Sequence, residues 1–401
     1  MRKWLLFILF TLLSWAAYGQ GDSPRLSYVV KGIVKDAENG KAIPTVHVSI
    51  PGRNFATVTN ADGEFILKSD EPINEIVCSC LGYRKKTVKA SDYVKVSLQR
   101  EVYPINESSV VSGDPAAIVR AALEKADKTY CPEPELLECF YRETVQKRSR
   151  YTYVAEAVAR IYKDSYPLGR DASALEKSRL LLSQRRSDTL SVKTQGGPNM
   201  ALTCDFLTKR EHLFTEEEMA LYEFRLLPSA YIGDRLQLVV SMTPATEVTY
   251  ALYFVTLYID FETLSFTRIE ASLDMRNQPK AIRAILVSKP MSLRFFPEEV
   301  SIVYNYRTSG DITRLEYFRS TIRFACDWRK RLFKTKYTAV NELVVTDVLP
   351  EASPIPRSER FGPRSYLNDE AAHFADPDFW SGYNIIEPSE SLEHATAKLR
   401  K

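Results

Sequence analysis

Between Tyr28 and Leu98 short apolar stretches recur at intervals near ten residues: Tyr28 to Val34, Val46 to Ile50, Phe55 to Thr59, Glu64 to Lys68, Ile73 to Cys80, Arg84 to Val88 and Val94 to Leu98. That rhythm predicts a seven-stranded β-sandwich over residues 26–100. Val46, Val48 and Ile50 alternate with polar neighbours, as a half-buried strand requires. Turn formers separate the stretches: Asn39-Gly40, Pro51-Gly52 and Asn60-Ala61-Asp62-Gly63.

The pattern then changes period. Within a linker, residues 101–135, Asp114 can cap a helix that Pro115 opens, and Ile118, Val119, Ala122, Leu123 and Ala126 form its apolar stripe. Residues 136–349 return to extended patterning. Leu137, Cys139, Tyr141, Glu143 and Val145 alternate, and Tyr151 to Tyr162 answers them across the polar turn Lys147 to Arg150, which reads as a hairpin. Further strands are expected at Leu236 to Met242, Ala251 to Ile259, Leu264 to Leu273, Ala281 to Val287, Val300 to Tyr306, Arg314 to Phe324 and Lys334 to Thr346. Helix is expected at Asp171 to Arg185 and at Pro198 to Met219, where Glu216, Glu217 and Glu218 suit a helix start. The fold class is therefore mainly β: a sandwich, one linking helix, and a large antiparallel sheet curled into an open or half-barrel form with minor helices.

Residues 350–401 carry six prolines and should run extended to a short helix at Ser389 to Arg400. Phe379, Trp380, Ile385 and Ile386 are too apolar for a free tail, so this segment should strap the β-domain, a partner-docking peptide being the alternative.

At the other end, Arg2 and Lys3 precede an apolar run from Trp4 to Leu13, and Ala17 and Gly19 fit the small-residue positions of a secretory cleavage site. Residues 1–19 are expected to be a signal peptide, leaving Gln20 first, with export to the periplasm or the periplasmic side of an outer membrane. No later run of 18 apolar residues follows, so no transmembrane helix is expected in the mature chain. Gly 15 and Pro 21 among 401 residues, with 45% hydrophobic content, exclude a disordered or collagen-like chain. A net charge of +3 excludes an overall basic excess of the kind that marks nucleic-acid binders.

Chemistry-bearing motifs are sparse. Cys78 and Cys80 point to one face of a strand, which disfavours a bond between them, and Cys131, Cys139, Cys204 and Cys326 are scattered. His47, His212, His373 and His394 show no zinc-ligand spacing, so neither metal nor cofactor is expected. Asp260 and Glu262, or Glu143 facing Glu156 across the first hairpin, are the candidate acid–base pairs. Arg142, Arg160 and Arg268 stand near enough in sequence to make ordinary ion pairs the better explanation. The basic stretch Arg319 to Lys336 offers Arg323, Arg329, Lys330, Arg331 and Lys334 for contact with anionic lipid headgroups or glycans, against the plainer reading of a solvated strand-turn-strand.

Four ordered pieces carry a family resemblance: Val30-Lys31-Gly32-Ile33-Val34-Lys35-Asp36, Lys41-Ala42-Ile43-Pro44-Thr45-Val46-His47-Val48, Thr57-Val58-Thr59-Asn60-Ala61-Asp62-Gly63-Glu64-Phe65 and Cys80-Leu81-Gly82-Tyr83. Together they resemble the carboxypeptidase-regulatory-like domain. The resemblance implies a transthyretin-like sandwich, common in exported proteins of Bacteroidetes, acting as a non-catalytic accessory module. His47 departs from it, standing where a small residue is usual, and is expected to be a hydrogen-bonded core imidazole. The chain lacks the His-x-x-Glu pattern of the zinc carboxypeptidases that carry the module. The piece Thr256 to Leu264 resembles a hairpin of periplasmic lipoprotein-carrier half-barrels, and Phe374 to Leu392 resembles the closing segment of Bacteroidetes envelope proteins. The expected function is a non-catalytic envelope protein, an interaction or scaffold module with an envelope protein as partner. A periplasmic carrier of a lipid or other apolar ligand and a hydrolase with an unseen site are the alternatives. An open apolar concave face would favour the carrier, and a solid core the scaffold.

Overall fold

A computed structural model describes residues 26–101, 113–165, 169–183, 192–328, 333–373 and 379–399. The expected signal peptide lies outside them. All seven sandwich strands form: β1 (Tyr28–Asp36), β2 (His47–Ser49), β3 (Ala56–Val58), β4 (Glu64–Ser69), β5 (Glu75–Ser79), β6 (Lys86–Lys89) and β7 (Tyr93–Leu98). They pair as two sheets, β4-β1-β7 and β3-β2-β5-β6, which bury Val34, Val46, Val48, Leu67, Ile76 and Cys78 between them. Gly63 shows why the turn before β4 reads as it does. Its φ is +76°, and a Cβ there would sit 2.5 Å from the Val34 carbonyl oxygen. Asn60 completes the turn by accepting from the Asp62 and Glu64 amides.

Helix α1 (Pro115–Thr129) starts as its sequence dictates, with Asp114 accepting from the Ala116 amide at 3.0 Å. Its stripe of Val119, Ala122, Leu123 and Ala126 is buried against the large sheet. That sheet is built from β8 (Glu135–Lys147), β9 (Arg150–Lys163), β10 (Ala172–Leu182), β11 (Tyr222–Ile232), β12 (Arg235–Pro244), β13 (Tyr253–Asp260), β14 (Phe266–Leu273), β15 (Leu293–Ser309), β16 (Ile312–Trp328), β17 (Thr335–Leu349) and β18 (Arg360–Phe361). They follow the antiparallel order β11-β12-β13-β14-β15-β16-β17-β8-β9-β10-β18 without closing into a barrel, and the two-residue β19 (Ala372–His373) adds to β10 in parallel.

Two expectations need correcting. Within the stretch Asp171 to Arg185, expected as helix, Ala172 to Leu182 is strand β10, because pairing with β9 overrides the helix preference of Leu, Glu and Lys. Ala281 to Val287, expected as strand, lies largely in α2 (Gln278–Ile285), which Asn277 caps at the Lys280 amide and Pro279 opens. Strand β11 was not among the expected strands at all. Pro198 to Met219 holds only short helical turns.

Those turns fill the concave face. Phe206 sits between the rings of Tyr253 and Tyr304, with centroids 6.0 and 6.1 Å away, and Phe214 packs on Phe266 at 5.8 Å. The Tyr304 hydroxyl donates to the Ala201 carbonyl at 2.9 Å. Each large apolar side chain so buried stabilises by about 1.5–3 kcal/mol. Among the described residues the inner face is thus packed with buried apolar side chains.

Candidate functional site

Three polar assemblies and one strap define what the molecule can offer. The strap comes first because it joins the two domains. Phe379, Trp380, Ile385 and Ile386 are all buried, and they cover Phe140, Val158, Tyr317 and Val344 on the outer face of the large sheet together with Val58 and Ile66 of the sandwich. Asn384 works like a strand residue on the edge of β4, accepting from the Lys68 amide at 2.7 Å and donating to the Lys68 carbonyl at 3.0 Å. The Lys68 ammonium donates to the Trp380 carbonyl at 2.7 Å, and burial pushes its pKa down to about 8. Thr57 donates to the Ile385 carbonyl at 2.8 Å. Farther on, α3 (Glu390–Leu399) buries Leu392 against β9 and β10. These residues thus pack on both the large sheet and the sandwich.

Under the strap lies a buried ion network. Arg142 donates to Glu156 at 2.7 Å and to the Ile386 carbonyl at 2.6 Å, Arg179 donates to the other Glu156 oxygen at 2.5 Å, and the Trp380 indole reaches the same oxygen at 3.3 Å. Burial opposes the charge on Glu156, but the two guanidiniums outweigh it and hold the carboxyl below its ordinary range. Glu143 does not face Glu156. The register sets Arg142 opposite Glu156 and Glu143 opposite Ala155, so the two carboxylates point to opposite faces. Inside, Glu143 accepts from the Tyr141 and Tyr153 hydroxyls, and burial among apolar neighbours pushes its pKa up to about 7. Asp260 and Glu262 do not converge either. Arg235 grips Asp260 with two bonds, the Glu262 and Thr263 amides donate to it, and the Glu262 side chain is exposed. Asp260 thus pairs with Arg235 and shapes a turn, while Arg268 goes to Glu270 and Asn305.

A second buried centre was invisible in the sequence. Lys163 lies 2.7 Å from Asp171 and 3.6 Å from Asp205, and Asp205 also accepts from Tyr130 and Tyr306. Burial works against the ammonium, yet the two aspartates keep its pKa above the ordinary lysine value. The centre ties α1, the inner turns and β15 together. Among the described residues there is no group of three His, Cys, Asp or Glu able to hold a metal ion, and the six cysteines are all free.

The third assembly is a polar cleft of about 340 Å³ between β2 and β5 of the sandwich and β12, β14, β15 and β16 of the sheet. His47 does not face the sandwich core as expected. Its neighbour Val48 does, so His47 points outward into this cleft, 2.9 Å from Glu316, with Arg307 3.5 Å from the same carboxylate oxygen. Burial disfavours the Glu316 charge, and His47 and Arg307 more than offset it, holding the carboxyl below its usual range. The sandwich also meets the β11–β12 hairpin, where the Gly82 amide donates to the Tyr231 carbonyl at 2.9 Å and Lys85 pairs with Asp234 at 3.0 Å.

Of the basic stretch, Arg323 and Lys334 are exposed; Arg323 pairs with Glu299, and Lys334 lies over the Phe296 ring at 3.7 Å. Arg329, Lys330 and Arg331 lie outside the described residues. Sequence reasoning missed Arg179, Lys68 and Asn384. The available signal was polar residues set among strongly apolar neighbours, as with Asn384 before Ile385 and Ile386.

A small β-sandwich fixed to a large open antiparallel sheet defines a two-part β-protein. Its first part matches the CarboxypepD_reg-like domain over residues 30–110. Among the described residues no helix is long and apolar enough to cross a membrane. No curated protein matches the chain. Solved structures with some likeness include MucB in complex with MucA(peri), at 14% identity over 60% of this chain and 100% of that one with a TM-score of 0.17. A DUF1329 family protein from Desulfovibrio piger shows 9% identity over 58% of this chain and 94% of that one, with a TM-score of 0.22. Lipovitellin shows 9% identity over 62% of this chain and 28% of that one, with a TM-score of 0.25. Likenesses of this size say nothing about what the chain binds.

Proposed function

We propose that the chain is a non-catalytic protein of the bacterial cell envelope, exported by its N-terminal segment, and that it acts as a rigid interaction scaffold on the periplasmic side. The observation that carries this reading is the filled concave face: Phe206, Phe214 and the turns around them occupy the volume a lipid would need. That packing weighs against the carrier reading, which calls for an open apolar face. The hydrolase reading is weakened because Glu143 and Glu156 lie on opposite faces and each is already engaged by tyrosines or arginines. Export is supported by the pattern from Arg2 to Gly19. The accessory-module role of the sandwich is supported by the CarboxypepD_reg-like match.

Native mass spectrometry of the chain from Gln20 onward, purified gently from its own envelope, tests the reading. A bare mass, or the mass of a complex with another polypeptide, is the expected outcome. A reproducible extra mass of lipid size, surviving gel filtration without detergent, would overturn the scaffold in favour of the carrier.

A further inference from the structure

The three most exposed large hydrophobic side chains among the described residues are Met291, Val287 and Phe333, at 102%, 76% and 75% exposure. Met291 and Phe333 lie at one end of the large sheet. Met291 precedes β15 by two residues and Phe333 precedes β17 by two, and these strands flank the end of β16, where Leu293 is opposite Trp328 and Thr335 opposite Cys326. Strands on either side of a third lie about 10 Å apart, so Met291 and Phe333 emerge side by side. Lys334 bridges the same gap by lying over Phe296 of β15. The β8–β9 turn joins them, since the Arg148 amide donates to the Lys336 carbonyl at 2.8 Å.

The charge around these side chains is mainly positive. Arg148, Arg323, Lys334 and Lys336 line one shallow cavity with Glu298, Lys289 stands two residues before Met291, and Arg294 on β15 is opposite Asp327 on β16. Glu298 is taken by Lys336 and Glu299 by Arg323, whereas Arg148, Lys289, Arg294 and Lys334 have no carboxylate partner among the described residues. Exposed apolar side chains cost free energy in water, and Met291 and Phe333 beside cations without a carboxylate partner fit a surface that is apolar beneath and anionic on top. A folded protein partner would more often offer matched carboxylates and a pocket. A soluble polyanion would leave Met291 and Phe333 without a role.

We propose that this end of the sheet docks on an anionic lipid bilayer, with Met291 and Phe333 entering the headgroup layer and Arg294 and Lys334 meeting lipid phosphates. The contact does not depend on the scaffold reading, because it uses neither the concave face nor the strap.

The test is co-sedimentation of the chain from Gln20 onward, which retains every described residue, with vesicles of phosphatidylcholine with or without phosphatidylglycerol. Binding should require phosphatidylglycerol and fall as salt rises. Arg294→Ser and Lys334→Ser should each weaken partitioning about fivefold. The pair Met291→Ser and Phe333→Ser should weaken it about tenfold or more. One readout needs no substitution. This chain keeps only Trp328, at the end in question, and Trp380, buried under the strap, so brominated acyl chains should quench Trp328 emission and spare Trp380. No sedimentation with anionic vesicles, no quenching, or binding unchanged by the apolar pair would each overturn the proposal. Release from vesicles by a soluble anionic polysaccharide, with the apolar pair behaving like the parent, would overturn it in favour of a glycan.

Discussion

The β8–β9 hairpin buries one glutamate on each face, both 1% exposed, and treats them in opposite ways. On the inner face Glu143 meets only tyrosine hydroxyls, and its pKa rises to about 7. On the outer face Glu156 meets two arginines and stays ionised. Burial depth is the same, so the difference comes from the partners. A carboxyl tolerates a low-dielectric core by giving up its charge when only neutral donors are present, and keeps it when cations are buried alongside. The inner face is thereby a neutral core that holds the sheet together, while the outer face carries an ionic clamp that also grips the strap through the Ile386 carbonyl and the Trp380 indole.

The strongest way to break this contrast is Glu156→Ala, which leaves Arg142 and Arg179 buried and facing each other without an anion. Stability should drop by about 3–5 kcal/mol in urea unfolding. Limited proteolysis should release the strap before either domain is cut, because the clamp and the strap share Arg142.

Glu143→Gln sharpens the contrast from the inner side. In the parent, the unfolded chain loses this proton near 4.5 while the folded chain keeps it to about 7, so stability falls as pH rises through that window. The stability difference between the glutamine variant and the parent should therefore change in the variant's favour by about 3 kcal/mol between about pH 4 and about pH 8. Glu138, also pushed up to about 7 by burial, should leave a residual slope of the same sign in both proteins. Glu156 works the other way: its contribution is present above its ordinary pKa and fades as pH falls through its depressed value. Acid unfolding of Glu156 variants should consequently start from a flatter baseline than that of the parent.

The smallest effect is expected at the rim of the outer face. His47 and Glu316 keep 11% and 14% of their side-chain surface, so water screens the pair in part. A double-mutant cycle of His47→Gln and Glu316→Gln should give a coupling of about 0.5–1 kcal/mol.

Where local signals agree with tertiary pairing, the chain can be read directly. The seven sandwich strands, helix α1 with its Asp114 cap, and the β8–β9 hairpin all follow from alternation, turn residues and capping. Strand β10 could not be read this way, since Ala172 to Leu182 is rich in helix formers and becomes a strand only because β9 supplies its hydrogen bonds. Helix α2 was legible in Asn277 and Pro279, but its short apolar run matches either period. The candidate site was less legible still. Whether Glu143 meets Glu156 depends on a hairpin register that includes a bulge between Val145 and Gln146, and one residue of register exchanges the faces. The Lys163 centre draws on residues scattered from Tyr130 to Tyr306, which no local spacing can bring together. The apolar character of Phe379, Trp380, Ile385 and Ile386 predicts burial, whereas their packing against the sandwich depends on the shape of the sheet.

Lys68 and Asn384 are 316 positions apart, and Arg142 and Ile386 are 244 apart. Both domains can therefore be synthesised and largely collapsed while the seam between them still stands open, with Phe140 bare and the edge of β4 unpaired. Closing that seam brings together residues several hundred positions apart, so it carries the entropic cost of looping that length of chain. A molecule clipped before residue 379 would present the same open seam permanently, a ready signal for proteolytic clearance and a sheet edge prone to aggregation.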